Sequence, residues 1–185
     1  MDEERSKSVL QKPTVQKITE IIGAVLEKVV RKDKAYTLSI AESEYATIAQ
    51  QSEIIAQEEI VNQVIGRISQ AKQVLRMTML LSEELSSPLP VGYHRLIGKL
   101  LDSGVDIHRL GFGTAEDFEL VQQQLGISSP NFTFSHIEGE DNYQRMILVD
   151  DGTLFFNADV IFYKTGHPSL ISLFNDYFDR QTDQY

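Results

Sequence analysis

From Val74 onward the apolar residues change their spacing every ten residues or so, and this succession limits the folds open to the chain. "VLRMTMLL" (Val74–Leu81) is a nearly unbroken apolar run, as in a buried or edge strand. "SEELSSPLP" then reads as a loop, because serines and two prolines stop regular structure. Val91–Leu101 places Leu96, Ile97, Leu100 and Leu101 on one helical side, and Gly104 in "DSG" suits a left-handed cap. "VDIHRL" (Val105–Leu110) alternates apolar and polar residues, which is strand period. "GFGT" reads as a turn. Thr114 to Asp117 forms a capping box for a helix reaching Leu125 and closed by Gly126. "NFTFSHI", "RMILVD" and "TLFFNADVIFY" are three further strands, with a tight hairpin at Asp151-Gly152. Gly166-His167-Pro168 opens a last helix whose apolar face is Leu170, Ile171, Leu173, Phe174, Tyr177 and Phe178. The order β-α-β-α-β-β-β-α predicts an α/β fold: a mixed, largely parallel sheet with helices on its faces.

The N-terminal third follows another pattern. Residues 1–13 read as a flexible terminus. From Thr14, Val15, Ile18, Ile22, Val25, Leu26, Val29 and Val30 recur at helical spacing, up to the charged "RKDK". "AYTLSIAES" suits a short strand or an extended link. Ile54, Val61, Ile68 and Leu75 then stand seven apart, with Val64 and Ala71 between them and one break at Gln57. This heptad seam predicts a long coiled-coil-like helix over about 42–76, lying on its own domain or pairing with a second copy. The expected division is 1–13 flexible, 14–70 a helical dimerisation or partner segment, and 71–185 the α/β domain.

Charge bounds the partners. With 17 Lys+Arg and 27 Asp+Glu the formal net charge is −10, which argues against direct nucleic-acid binding by the surface as a whole. There are no cysteines, so disulfides, thiolate metal sites and cysteine nucleophiles are excluded. No apolar run reaches the roughly 20 residues of a membrane span. The charged start, "MDEERSKSVLQ", lacks the apolar stretch of a secretory signal, so a cytoplasmic protein is expected.

Few motifs carry chemistry. Gly111-Phe112-Gly113 lacks the third glycine of a dinucleotide fingerprint, and no P-loop or nucleophile elbow is present. His94, His108, His136 and His167 are scattered, with no helical pair suited to a metal. Glu83-Glu84 follow a strand whose C-terminal end should carry loops facing a ligand. In "NYQRMILVDDG", Tyr143, Arg145 and Asp150 occupy positions 1, 3 and 8 of an H-x-K-x-x-x-x-D pattern.

That spacing, with the strand around it and the element order, resembles one half of the phospholipase D superfamily, over roughly Ala71 to Arg180. The resemblance implies a histidine nucleophile on phosphorus, a lysine that binds phosphate and a supporting aspartate. This chain has Tyr143 and Arg145 in the first two places, and Asn157-Ala158 where the family has a small-residue segment. A tyrosine, with an ordinary pKa of about 10, needs an activating base to act as a nucleophile. Tyr143 and Asp150 are the motif's catalytic candidates, and Glu83 or Glu84 could supply a general acid or base in a hydrolase. Arg145, Arg109, Tyr143 and Asp150 are the ligand-binding candidates, with His108 or His94 able to join them. Arg145 needs an anion, supplied either by an acid such as Asp150 or by a bound phosphate, carboxylate or sugar acid. No cofactor or metal is implied.

The resemblance extends to the effector domains of TrmB-like regulators, and implies a non-catalytic regulatory or ligand-binding module. The family builds its site from two halves, so one half per chain implies a homodimer. The alternative is a phosphodiesterase- or nuclease-like hydrolase with altered catalytic residues. A third reading gives the N-terminal helices a protein partner.

Overall fold

The computed structural model describes residues 11–29 and 40–182. Its helices are α1 (Val15–Val29), α2 (Tyr45–Gln51), α3 (Ile60–Ile68), α4 (Leu81–Ser86), α5 (Val91–Asp102), α6 (Ala115–Leu125) and α7 (Pro168–Thr182). Its strands are β1 (Ser52–Ile55), β2 (Val74–Leu80), β3 (Asp106–Gly113), β4 (Phe132–Glu138), β5 (Met146–Val149), β6 (Thr153–Ala158) and β7 (Ile161–Thr165). The strands form one seven-stranded sheet in the order β1-β7-β6-β5-β2-β3-β4. The α/β class and the mixed sheet are as expected. Parallel pairing is confined to β2, β3 and β4, and the other ladders are antiparallel.

Alternation along the central strands feeds two cores. Leu148, Leu154 and Phe156 point to one face, where Ile18, Ile22 and Val25 of α1 and Phe174 and Tyr177 of α7 meet them. Val149, Phe155 and Ile107 point to the other, against Ile68 of α3 and Ile97 of α5. Phe156 lies between Tyr163 and Phe174, with ring centroids 5.2 and 4.9 Å away. The helix ends follow the residues chosen for them. Thr114 Oγ1 accepts the Asp117 N–H at 3.1 Å, and Gly126 and Gly104 take positive φ.

The heptad helix over 42–76 is not formed. Ile54 lies in β1, Val61 and Ile68 in α3, and Leu75 in β2. β1 pairs antiparallel with β7, so this segment joins the sheet. The seven-residue recurrence is a coincidence of three short elements, in which Ile68 and Leu75 are buried and Ile54 is half-buried. Val61 is 61% exposed, so the seam is not continuous even at the side-chain level. The expected strand over "AYTLSIAES" falls mostly outside the described residues, as do residues 1–10 and the end of the first helix.

Four smaller differences have local causes. "SEELS" (Ser82–Ser86) is helical, within α4, rather than loop. β3 runs through the expected "GFGT" turn to Gly113. A Cβ on Gly111 would meet Leu81 Cδ2 at 2.7 Å and the Phe134 ring at 2.9 Å, so this glycine lets α4 and β4 close on β3. "TLFFNADVIFY" is two strands, turned at Asp159 (φ 56°) and Val160. The β5–β6 hairpin is present, but its left-handed residues are Asp150 (φ 52°) and Asp151 (φ 50°), one step before Asp-Gly. Aspartate tolerates this region better than most residues with a Cβ.

Candidate functional site

The segment before β5 is fixed almost atom by atom. Thr78 Oγ1 donates to the Gln144 carbonyl at 2.7 Å and accepts the Met146 N–H at 2.9 Å, extending the β2–β5 ladder through a side chain. From the α7 side, the Tyr177 hydroxyl donates to the Asn142 carbonyl at 2.8 Å and accepts the Gln144 N–H at 3.0 Å. Buried Gln144 reaches across to the Asn157 carbonyl of β6 at 2.7 Å. A strand end tied on both sides is a rigid wall.

That wall and α1 enclose a cavity of about 400 Å³. Ile21, Ala24 and Val25 of α1 lie along it, with Lys17 and Glu20 at one end and Lys28 at the other. Tyr143, Arg145 and Asn157 face them. The Lys28 ammonium donates to the Tyr143 carbonyl at 2.5 Å and to Gln144 Oε1 at 3.4 Å. Among the described residues no carboxylate pairs with it. Partial burial holds the Lys28 amine below its ordinary pKa.

Arg145 is differently placed. Its guanidinium is paired with Glu83 and donates from Nε to the Tyr143 hydroxyl at 3.2 Å. Burial works against the charge, but Tyr143 and Glu83 outweigh it and hold Arg145 above its ordinary pKa. Burial holds the Tyr143 phenol above its ordinary value, although Arg145 pulls it back. The phenol also packs edge-on against Phe112. The group beside its oxygen is a guanidinium, which cannot take its proton.

The other expected site residues lie elsewhere. Asp150 is at the far end of β5. Its carboxylate accepts from the N–H groups of Lys72, Gln73 and Val74 at 2.8–3.2 Å. Burial raises the Asp150 pKa, and these three donors more than reverse that, so the group stays below its ordinary value. Arg109 is buried in β3 beneath α5, with Nη2 3.0 Å from the Tyr93 hydroxyl and its guanidinium over the Tyr93 ring. The structure thus brings Tyr143 and Arg145 together and separates Asp150 and Arg109 from them.

His94 and His108 do not line the cavity, and neither does Glu84, whose Oε1 accepts the Leu89 N–H at 3.3 Å. Among the described residues no group of His, Asp and Glu is placed to hold a metal ion. No described helix is long and apolar enough to cross a membrane. Sequence reasoning missed Lys28, Gln144 and the Lys17, Glu20 and Asp159 cluster. The one available signal was that Lys17, Glu20, Ala24 and Lys28 share a stripe of α1 beside its apolar face.

Several solved structures are similar in fold. The archaeal chromatin protein TrmBL2, whose structure is described as showing a novel mode of DNA binding, matches with a TM-score of 0.51 at 11% identity. The match covers 91% of this chain and 61% of TrmBL2, so the chain spans about three fifths of that protein's length. Nuc of Salmonella typhimurium, a phospholipase D family member, gives a TM-score of 0.49 at 15% identity, over 72% of this chain and 95% of its own. Phosphatidylserine synthase of Haemophilus influenzae gives 0.39 at 13%, over 94% and 47%. At such identities the likeness is one of fold. The fold shared with TrmBL2 is that of an α/β domain with a mixed sheet, here with a helix ahead of it. No protein-family profile and no curated protein sequence matches the chain.

Proposed function

We propose that this chain is a non-catalytic regulatory module that binds a small anionic ligand in the cavity beside Lys28 and Arg145, on a phospholipase D-like domain whose catalytic residues have been lost. The observation that carries this is Lys28. Its ammonium is half-buried at the cavity wall and meets only carbonyl and amide oxygens among the described residues. A desolvated cation without an anion gains from any phosphate or carboxylate that reaches it. The hydrolase reading has less support. Tyr143 stands where the family has histidine, is held protonated by burial, and has a guanidinium beside its oxygen rather than a base.

In this reading the module senses a metabolite and passes the change to a partner. Cytoplasmic placement belongs to the proposal, as does a homodimer, since one chain carries one half of the family's two-part site. TrmBL2 is a DNA-binding chromatin protein. A formal charge of −10 argues against the same role for this chain acting alone.

The test is a thermal-shift series with inorganic phosphate, pyrophosphate and phosphorylated sugars. A ligand at about 100 times its Kd stabilises by about 2.7 kcal/mol, which for a chain of this size raises Tm by roughly 5–10 °C. No shift with any of these anions removes the anion-binding reading. Turnover of a chromogenic phosphodiester that Tyr143→Phe abolishes replaces it with the enzyme. A light-scattering mass of one chain, 21.0 kDa, removes the homodimer.

A further inference from the structure

The two edges of the sheet are built differently. At one edge β1 is four residues long, its Glu53 is paired with Lys164 of β7, and the Ile54 N–H donates to the Gln11 carbonyl at 2.8 Å. At the other, β4 runs for seven residues, holds no lysine or proline, and has β3 alone beside it among the described residues. A long, largely apolar edge without such guards is a template for another strand. The Ile107 N–H donates to the Asn131 carbonyl and the Gly139 N–H to the Gly113 carbonyl. This register turns the odd-numbered residues of β4 toward β3. The N–H and C=O groups of Phe134 and His136 therefore point away from the sheet.

A groove of about 310 Å³ runs beside this edge, lined by Gln122 and Leu125 of α6, by Ile127, and by Phe132, Thr133 and Phe134 of β4. Phe118 of α6 meets Phe134 and His136, with ring centroids 4.6 and 5.1 Å away. Helix α6 thus runs antiparallel to β4. Leu125 stands by the Phe132 end, and exposed Glu116 and Glu119 stand by the His136 end. Charge selects the occupant. Residues 114–141 hold six acidic residues and no lysine or arginine, so two copies of this edge would meet like charge. We propose that the β4 edge and its groove dock an extended basic segment of a partner protein. The segment adds a strand beside β4, with an apolar side chain in the slot between Leu125 and Phe132 and a lysine or arginine beside Glu119. Side chains on one face of a strand recur at every second residue, which sets these two about four residues apart. The groove shares no residue with the cavity at Lys28, so this surface stands independently of the anion site.

The experiment titrates the full chain into a fluorescein-labelled peptide, Lys-Thr-Lys-Thr-Val-Thr-Val, and reads fluorescence anisotropy. The peptide should bind, more weakly as salt is raised. Glutamate in place of both lysines should weaken binding by about ten-fold. Two further peptides carry N-methyl groups, one on the three threonines and one on the residues between them. Only one of these should bind, because an added strand turns every second N–H to β4. Glu119→Lys lies on an exposed face of α6 and keeps the fold. It should weaken the lysine peptide by about three-fold or more and tighten the glutamate peptide. Failure of the lysine peptide to bind overturns the proposal, as does equal binding of the lysine and glutamate peptides or of the two methylated ones. A light-scattering mass that falls from two chains to one as peptide is added assigns the edge to a second copy, and overturns it as well.

Discussion

At the Val149 end of β5, the Asp150 carboxylate accepts from three consecutive backbone N–H groups and caps the start of β2. At the Met146 end, Thr78, Tyr177 and Gln144 satisfy the backbone of Asn142–Met146, and the charged side chains are left facing a cavity. The two ends belong to one stretch of sequence and fit one spacing motif. They differ in what their polar groups are used for. Where a side chain saturates main-chain donors it belongs to the fold. Where main-chain groups are satisfied by other residues, the side chains on that wall remain available to a ligand.

The largest effect should come from cutting the Asp150 end. Asp150→Ala leaves three N–H donors without their acceptor and puts alanine at φ 52°. It should destabilise the chain by about 2–3 kcal/mol, read as a lower urea midpoint with an unchanged slope. Phosphate affinity should stay the same. A variant of normal stability that no longer binds phosphate would break the comparison, because Asp150 would then serve the ligand.

Next comes Tyr177→Phe, which removes a hydroxyl serving both Asn142 and Gln144 at the cavity end. The loss should be about 1–2 kcal/mol. Unlike the Asp150 change, it should also weaken phosphate binding several-fold, because the wall that carries Arg145 and receives Lys28 loosens. A loss of stability with binding intact would mean that the wall's rigidity does not matter to the site.

These contrasts explain what the sequence could and could not reveal. The α/β order from Val74 onward was legible because each element buries one face, and burial writes its period into the sequence. The heptad misled because Ile54, Val61, Ile68 and Leu75 belong to three elements. Spacing alone cannot tell one long helix from several short ones whose apolar residues fall in step. Gly111 was read as turn-former when its use is close approach by Leu81 and Phe134. At the site, Tyr143 and Arg145 were found through a motif. Asp150 came with the same motif, though its work is capping. Lys28 is 115 residues from Tyr143 in the chain, and nothing local in "LEKVV" announces that α1 will lie against that strand end.

Lys28→Met should sharpen the comparison with a smaller effect on the fold. The half-buried ammonium has no carboxylate partner among the described residues, and the loss of its hydrogen bonds to Tyr143 and Gln144 is partly offset by relief of its desolvation, so stability should fall by no more than about 1 kcal/mol. The phosphate-induced rise in Tm should disappear. A loss as large as that of Asp150→Ala would make Lys28 a structural residue and remove the asymmetry between the ends.

The smallest effects are those of pH, and they should separate the two ends by window. Asp150 has a folded pKa below its unfolded value of about 3.9. Its contribution is therefore complete above that value and is lost as pH falls through the folded pKa. The stability gap between the native chain and Asp150→Ala should narrow only in acid. Lys28 has the opposite history. Its folded pKa is lowered, so between the folded and unfolded values the unfolded chain binds the extra proton and stability rises with pH. A bound anion restores the charge, so phosphate binding takes up a proton, and affinity should fall as pH rises through the free-state pKa of Lys28. The groups around it are Tyr143 and Arg145 on the strand side, Lys17 and Glu20 on its own helix, and Asp159 at the β6–β7 turn. Phosphate titrations in two buffers of different ionisation enthalpy measure this uptake. It should be present in the native chain on the alkaline side and absent in Lys28→Met. Uptake that persists in the variant would move the titrating group to Tyr143 or Lys17, and with it the centre of the anion site.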